Sequence, residues 1–337
     1  MSRMTARVLL AAASLLVACA GPRAPGPARS RVIWPVAGAP RARLARVLPD
    51  PATPRPRPSV LRRAWNAIAG LDEEDPAAGL VRPFAVAVAR DGALLVADPD
   101  APGVFRLGSR GAAPEPVLCK GQEWAGPMAL AIGGDGELYV ADAAAALVVR
   151  IRPDGLCATL GSGALQRPTG VALLDGRLFV ADPPSHEIVE LGRDGVAVRR
   201  FGGLGESAGQ LHFPTAIHAA SGALLVVDAL NFRIARFTPE GEWLGSFGAP
   251  GDEGGALARP KGVATDRRGR VYVSDAERDL VLVYAADGTF EYAIGGSGTD
   301  PGWFSMPAGL AVVGDALLVA DSQNRRIAVF DLLGDET

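Results

Sequence analysis

The residues of this chain able to do chemistry fall into four groups. Arg82, Arg167 and Arg259 each stand immediately before a proline, and Lys261 and Trp303 fall on the same set of loops. Guanidinium and ammonium groups gathered beside an aromatic ring form a cationic rim suited to an anion or an acidic peptide. The plainer reading is that each arginine pairs with a nearby acid, and the sequence leaves both open. The second group is Asp98, Asp142, Asp182, Asp228, Asp275 and Asp321, each closing an apolar run. A functional site is normally used once. Six equivalent carboxylates therefore imply a structural job, accepting backbone N–H groups in the following turn or pairing with an arginine.

The third group is His186, His212 and His218, the only histidines. Metal sites need imidazoles or carboxylates converging from several strands. The residues that follow the repeat prolines are Phe84, Met128, Thr169, Thr215, Lys261 and Ala308, none of them a carboxylate or imidazole. No metal or other cofactor is expected. The fourth group is Cys119 and Cys157, each in an outer strand. Outside the cytoplasm they can pair, but outer strands of adjacent units diverge, so a disulfide stays open.

These residues are positioned by a repeat. Pro83, Pro127, Pro168, Pro214, Pro260 and Pro307 follow one another at spacings of 44, 41, 46, 46 and 47. Three residues before each proline is an apolar residue: Leu80, Trp124, Leu165, Leu211, Leu257 and Phe304, a ring that reads as core. The period matches propeller blades of four short strands. Apolar runs of five to seven residues, rich in Val, Leu, Tyr and Phe, are too short for paired-helix repeats. The fold expected is all-β, a six-bladed β-propeller with four antiparallel strands per blade over residues 80–331. First strands are dominated by Ala, Val and Gly, as six strands converging on an axis require. Second strands are apolar at both parities, so both faces are buried.

The formal charge of −3 hides an asymmetry: residues 1–63 carry a net +11 and residues 64–337 a net −14. An acidic body argues against a nucleic-acid surface. At the N-terminus, Arg3 and Arg7 precede the apolar segment Val8–Val17, which is too short to span a bilayer and reads as a signal peptide over 1–18. Leu16-Val17-Ala18-Cys19 resembles the lipobox of bacterial lipoproteins. That resemblance implies cleavage before Cys19 and its acylation, hence stable anchoring in a bilayer. Ala20 lacks the Asp linked to inner-membrane retention, which favours an outer-membrane address in the cell envelope. Residues 19–58 read as a Pro/Arg-rich tether and 59–69 as a short helix between Ser59 and Gly70.

The turns Asp228-Ala-Leu-Asn-Phe-Arg-Ile234 and Asp321-Ser-Gln-Asn-Arg-Arg-Ile327 resemble the NHL repeat, and Val32-Ile-Trp-Pro35 resembles the stretch preceding the propeller in bacterial NHL-repeat lipoproteins. The sixth blade ends after its third strand, so an N-terminal segment must supply the fourth. Residues 41–48 are the first choice and 63–69 the alternative. The function expected is a monomeric, membrane-anchored, non-catalytic scaffold that binds an envelope protein or complex. The alternatives are a metal-dependent propeller hydrolase or lyase, lactonase-like or amidating-lyase-like, and a carbohydrate-binding propeller.

Overall fold

The structure, a computed structural model, describes residues 33–34, 39–49, 79–108, 114–119 and 123–334. The signal segment 1–18, Cys19 and the helix expected over 59–69 lie outside the described residues. The chain is all-β: six antiparallel sheets form the blades of a propeller ring. Blade 4 shows the pattern, with strands Pro214–Ala220, Ala223–Asp228, Arg233–Phe237 and Trp243–Phe247 paired in sequence order from the axis outward. Blades 1, 2, 3 and 5 repeat it.

Blade 6 is built from both ends of the chain. Its first three strands are Pro307–Val313, Ala316–Asp321 and Arg326–Leu332. The fourth is Ala42–Leu48, antiparallel to Arg326–Leu332, and Ile33–Trp34 adds a fifth outside it. The register is set by burial: Ala42 and Leu48 are sealed, while Arg46 lies on the outer surface and Arg43 reaches Asp331 at 2.7 Å. The ring thus closes without leaving the third strand of blade 6 as an unpaired edge.

The core lies between blades. Second strands such as Leu94–Asp98 and Val271–Asp275 are buried along their whole length, because each face meets a different neighbour. First strands approach each other closely at the axis. A Cβ on Gly262 would stand 2.5 Å from the Ala308 carbonyl oxygen, and one on Gly309 would stand 2.6 Å from that of Phe84. The apolar residue three before each proline seals the loop from blade to blade: Leu165, Leu211, Leu257 and Phe304 are buried. Each rests on the glycine that ends the preceding fourth strand, and at Gly295, with φ +96°, a Cβ would stand 2.3 Å from the Phe304 ring. Only glycine satisfies both the backbone angle and the contact.

Candidate functional site: the cationic mouth of the channel

The loops before the first strands are fixed by the six aspartates. All six are fully buried, and each accepts hydrogen bonds from backbone N–H groups of its own blade's pre-proline loop. Asp98 takes Val81 and Arg82 at 2.7 and 2.8 Å, Asp182 takes Gln166 and Arg167 at 3.0 and 2.7 Å, and Asp275 takes Ala258 and Arg259 at 2.6 and 3.0 Å. Asp142 holds Ala125 and Gly126, Asp228 holds His212, and Asp321 holds Ser305. The carboxylates therefore position the backbone of Arg82, Arg167 and Arg259. In blades 4 and 6 the same aspartates carry more. Asn231 and Arg233 bond Asp228 at 2.7 and 2.8 Å, and Asn324 and Arg326 bond Asp321 at 2.8 and 2.7 Å. The two Asp-x-x-Asn-x-Arg turns thus share one geometry. For Asp321, burial pushes the carboxyl up, against the opposing pull of these donors.

The pre-proline loops take two forms. In blades 1, 3 and 5 the residue before the proline is arginine, and its N–H goes to the blade's own aspartate. In blades 4 and 6 it is Phe213 or Met306, with φ of +63° and +53°. Their N–H groups donate to the preceding blade instead, to His186 Nδ1 at 3.0 Å and Asp279 Oδ1 at 2.7 Å. Left-handed backbone at a bulky residue is unfavourable, and here it is held by those bonds. Blade 2 shares the first form with Gly126, whose N–H goes to Asp142, so the arginines stand on every second blade.

Just inside them, bulges aim side chains at the axis. The pairing of first and second strands shifts between Pro127 and Ala129, Pro214 and Ala216, and Pro260 and Gly262. Met128, Thr215 and Lys261 are left unpaired by those shifts. With Phe84 and Thr169 they line a channel cavity of about 70 Å³. Thr169 donates its hydroxyl to the Thr215 carbonyl at 2.9 Å, whereas the buried Thr215 hydroxyl has no partner among the described residues.

Lys261 is the centre of the set. Burial lowers its pKa first, and Arg259, Arg82 and Arg167 lower it further, so all four cations share one field. Among the described residues no acidic group pairs with the Lys261 ammonium or with the guanidiniums of Arg167 and Arg259; Arg82 meets Asp100 at 2.6 Å. Lys261 lines the channel cavity, and the three arginines add to the positive field there, an arrangement that suits an anion. Each cation was visible in the sequence. The Thr215 hydroxyl was not singled out there, although its place directly after a repeat proline carries the same signal as Lys261.

Trp303 does not join this set. Its ring stands edge-on to Trp34, with centroids 5.5 Å apart, and Trp34 belongs to the outermost strand of blade 6. The N-terminal strands draw Trp303 to the periphery, a contact that the loop position alone does not disclose. The cysteines are bonded: Cys119 and Cys157 form a disulfide with Cα atoms 6.0 Å apart. The divergence of outer strands is overcome because the fourth strand of blade 1 is only Glu115–Pro116, and the chain then runs on through Leu118 to Cys119, beside blade 2. His218 is half-buried and bonded to Thr265 Oγ1 at 3.0 Å, and desolvation depresses its pKa to about 4. His186 and His212 are neighbours, with centroids 5.5 Å apart. Among the described residues no three His, Cys, Asp or Glu side chains converge as a metal site would need.

No protein-family model and no curated protein matches the sequence. Solved structures do match in fold. Virginiamycin B lyase from Staphylococcus aureus is 18% identical with a TM-score of 0.56, over 77% of this chain and 97% of that one. A streptogramin B lyase is 14% identical with a TM-score of 0.59, over 77% and 95%. An auxiliary nutrient binding protein from Bacteroides thetaiotaomicron VPI-5482 is 11% identical with a TM-score of 0.60, over 75% and 69%. At such identities the likeness carries the propeller fold alone.

Proposed function

We propose that this chain is an NHL-type binding propeller of the bacterial envelope, tethered through acylated Cys19, that takes an anionic group of its partner at the channel mouth and does no chemistry on it. One observation carries the reading: Lys261 is half-buried without a counter-ion among the described residues and is surrounded by Arg82, Arg167 and Arg259. The small channel cavity admits one carboxylate or phosphoryl headgroup, so the rest of the partner rests on the loops around it. The neighbour of like fold that is named for nutrient binding supports this reading.

Titration calorimetry of the full chain with a decaglutamate peptide and with citrate tests this. Binding that weakens at least about tenfold in Lys261→Met and Arg259→Gln, and that falls with added salt, is the expected result. Binding also strengthens as pH falls, because an anion favours the charged Lys261. Binding unaffected by either substitution would sink the reading. A second reading, a lyase, draws on the two lyase structures and on the His186–His212 pair. Stoichiometric metal in protein purified without chelator, lost in His186→Ala, would favour it instead.

A further inference from the structure

A cavity of about 600 Å³, far larger than that of the channel, opens between blades 2 and 3. It lies at the ends of the strands carrying the first-to-second and third-to-fourth turns, the face opposite the cationic mouth. Its volume is within the range of small-molecule sites. The residues in register at this junction differ from those of blades 3 and 5.

Three residues in register face the next blade at each junction. In blade 3 they are Phe179, Glu190 and Arg199, and in blade 5 Tyr272, Val283 and Tyr292. Blade 3 closes its junction with a salt-bridged network. Arg177 lies over Phe179, bonds Glu190 at 2.8 and 2.9 Å, and reaches Glu240 and the Pro239 carbonyl of blade 4 at 2.8 and 2.9 Å. Blade 5 closes its own with buried Tyr272 and Tyr292, beside Arg270 bonded to Asp266 at 2.7 Å.

In blade 2 the three residues are Tyr139, Arg150 and Ala158. The outer member has shrunk to a methyl group. The charges are also exchanged: Glu137 occupies the place of Arg177, and Arg150 that of Glu190. Yet the exchanged pair does not close. Glu137 accepts the Tyr139 hydroxyl at 2.7 Å, and the buried Arg150 Nε has no partner among the described residues. Asp175 and Arg193, both exposed, stand across the opening without a bond to any described residue.

We propose that this cavity binds a zwitterionic amino compound, a free amino acid or a short peptide, with its carboxylate on Arg150 and its ammonium between Glu137 and Asp175. A guanidinium donor left buried and unmatched is best satisfied by a carboxylate, in a charge-assisted bond. Glu137, and Asp175 across the opening from it, favour a cation. A purely anionic ligand would meet Asp135, Glu137 and Asp175 as well as Arg150 and Arg193, and a neutral polyol leaves the Arg150 charge uncompensated. This site is independent of the channel mouth.

The test is titration calorimetry of the full chain with the proteinogenic amino acids and triglycine, each beside its N-acetylated and C-amidated form, and with maltotriose. At least one zwitterion binds with a submillimolar dissociation constant, and blocking either end weakens it by about tenfold or more. Arg150→Met weakens it by at least about tenfold without lowering Tm, since it removes an unmatched donor. Ala158→Tyr, copying blade 5, fills the cavity and abolishes binding, while Arg259→Gln at the channel leaves it unchanged. The proposal is overturned if no zwitterion binds below about 10 mM. Blocked and free forms binding alike, maltotriose binding in their place, or indifference to Arg150→Met would overturn it equally.

Discussion

Blades 4 and 6 are the two that carry the full Asp-x-x-Asn-x-Arg turn, and they reach the same end by different routes. Their turns match bond for bond. Arg233 of blade 4 bonds the Glu206 and Gln210 carbonyls at 2.9 Å each, and Arg326 of blade 6 bonds those of Thr299 and Trp303 at 2.8 Å each. Their outer edges do not match. Blade 4 ends on Trp243–Phe247, a few residues after its third strand, whereas blade 6 waits for Ala42–Leu48 from the opposite end of the chain. A local turn is thus indifferent to how its blade is completed. Closing blade 6 requires a contact across 288 residues, between Arg43 and Asp331, so it carries the loop-closure entropy of the whole ring. Blade 6 is the place where the ring can open.

The largest effect expected follows from removing that closure. Deleting residues 1–49 lowers Tm by about 10 °C or more and speeds amide exchange in Arg326–Leu332 before that in Arg233–Phe237. Equal exchange in the two strands would break the contrast. Next come the shared turns. Asp228→Ala and Asp321→Ala each leave an arginine, an asparagine and one backbone N–H without their acceptor, at a cost of about 4 kcal/mol by denaturant titration. The two values agree within about 1 kcal/mol if the turns are energetically local. A much larger cost in blade 6 would tie its turn to ring closure.

Acid distinguishes the blades further. His218 of blade 4 corresponds to Ala311 of blade 6, by register with Leu225 and Leu318. Its pKa is depressed to about 4 by burial, below the ordinary value of about 6.5, so the unfolded chain binds the proton more readily. Stability is therefore full above pH 6.5 and lost as pH falls toward 4, by about 2 kcal/mol between pH 7 and pH 5. His218→Gln flattens that slope, and an unchanged slope would assign it to other groups. The smallest effect is at the blade 6 edge. The Arg43–Asp331 pair is part-exposed on both sides, so Arg43→Gln costs about 0.5 kcal/mol and less in high salt.

Much of the architecture was legible because a repeat writes its rules locally. The prolines, the closing aspartates and the apolar residue three before each proline are short-range features, and each acts within its own blade or the next loop. The propeller and its six blades followed from them. Other features were out of reach for a common reason. Trp303 faces Trp34 because strands nearly the whole chain apart meet there. Cys119 meets Cys157 because one outer strand is cut short and the chain crosses to its neighbour. The hollow beside Arg150 is visible only when blades 2, 3 and 5 are laid in register, since Ala158 alone is an ordinary residue in an outer strand.

The amino-acid sequence by itself determined the number of blades, the strands within them and the loops on which the arginines stand; Lys261, expected on those loops, lies instead at the start of the first strand of blade 5. Hydrophobic period and turn chemistry act over a few residues, and that range is fully written in the chain. Only the tertiary structure decided which charges face one another: Lys261 among three arginines without a counter-ion among the described residues, and Arg150 without its glutamate. Those meetings depend on ring closure and on bulges that turn single side chains by half a pleat, and electrostatic contact between blades has no signature in local spacing.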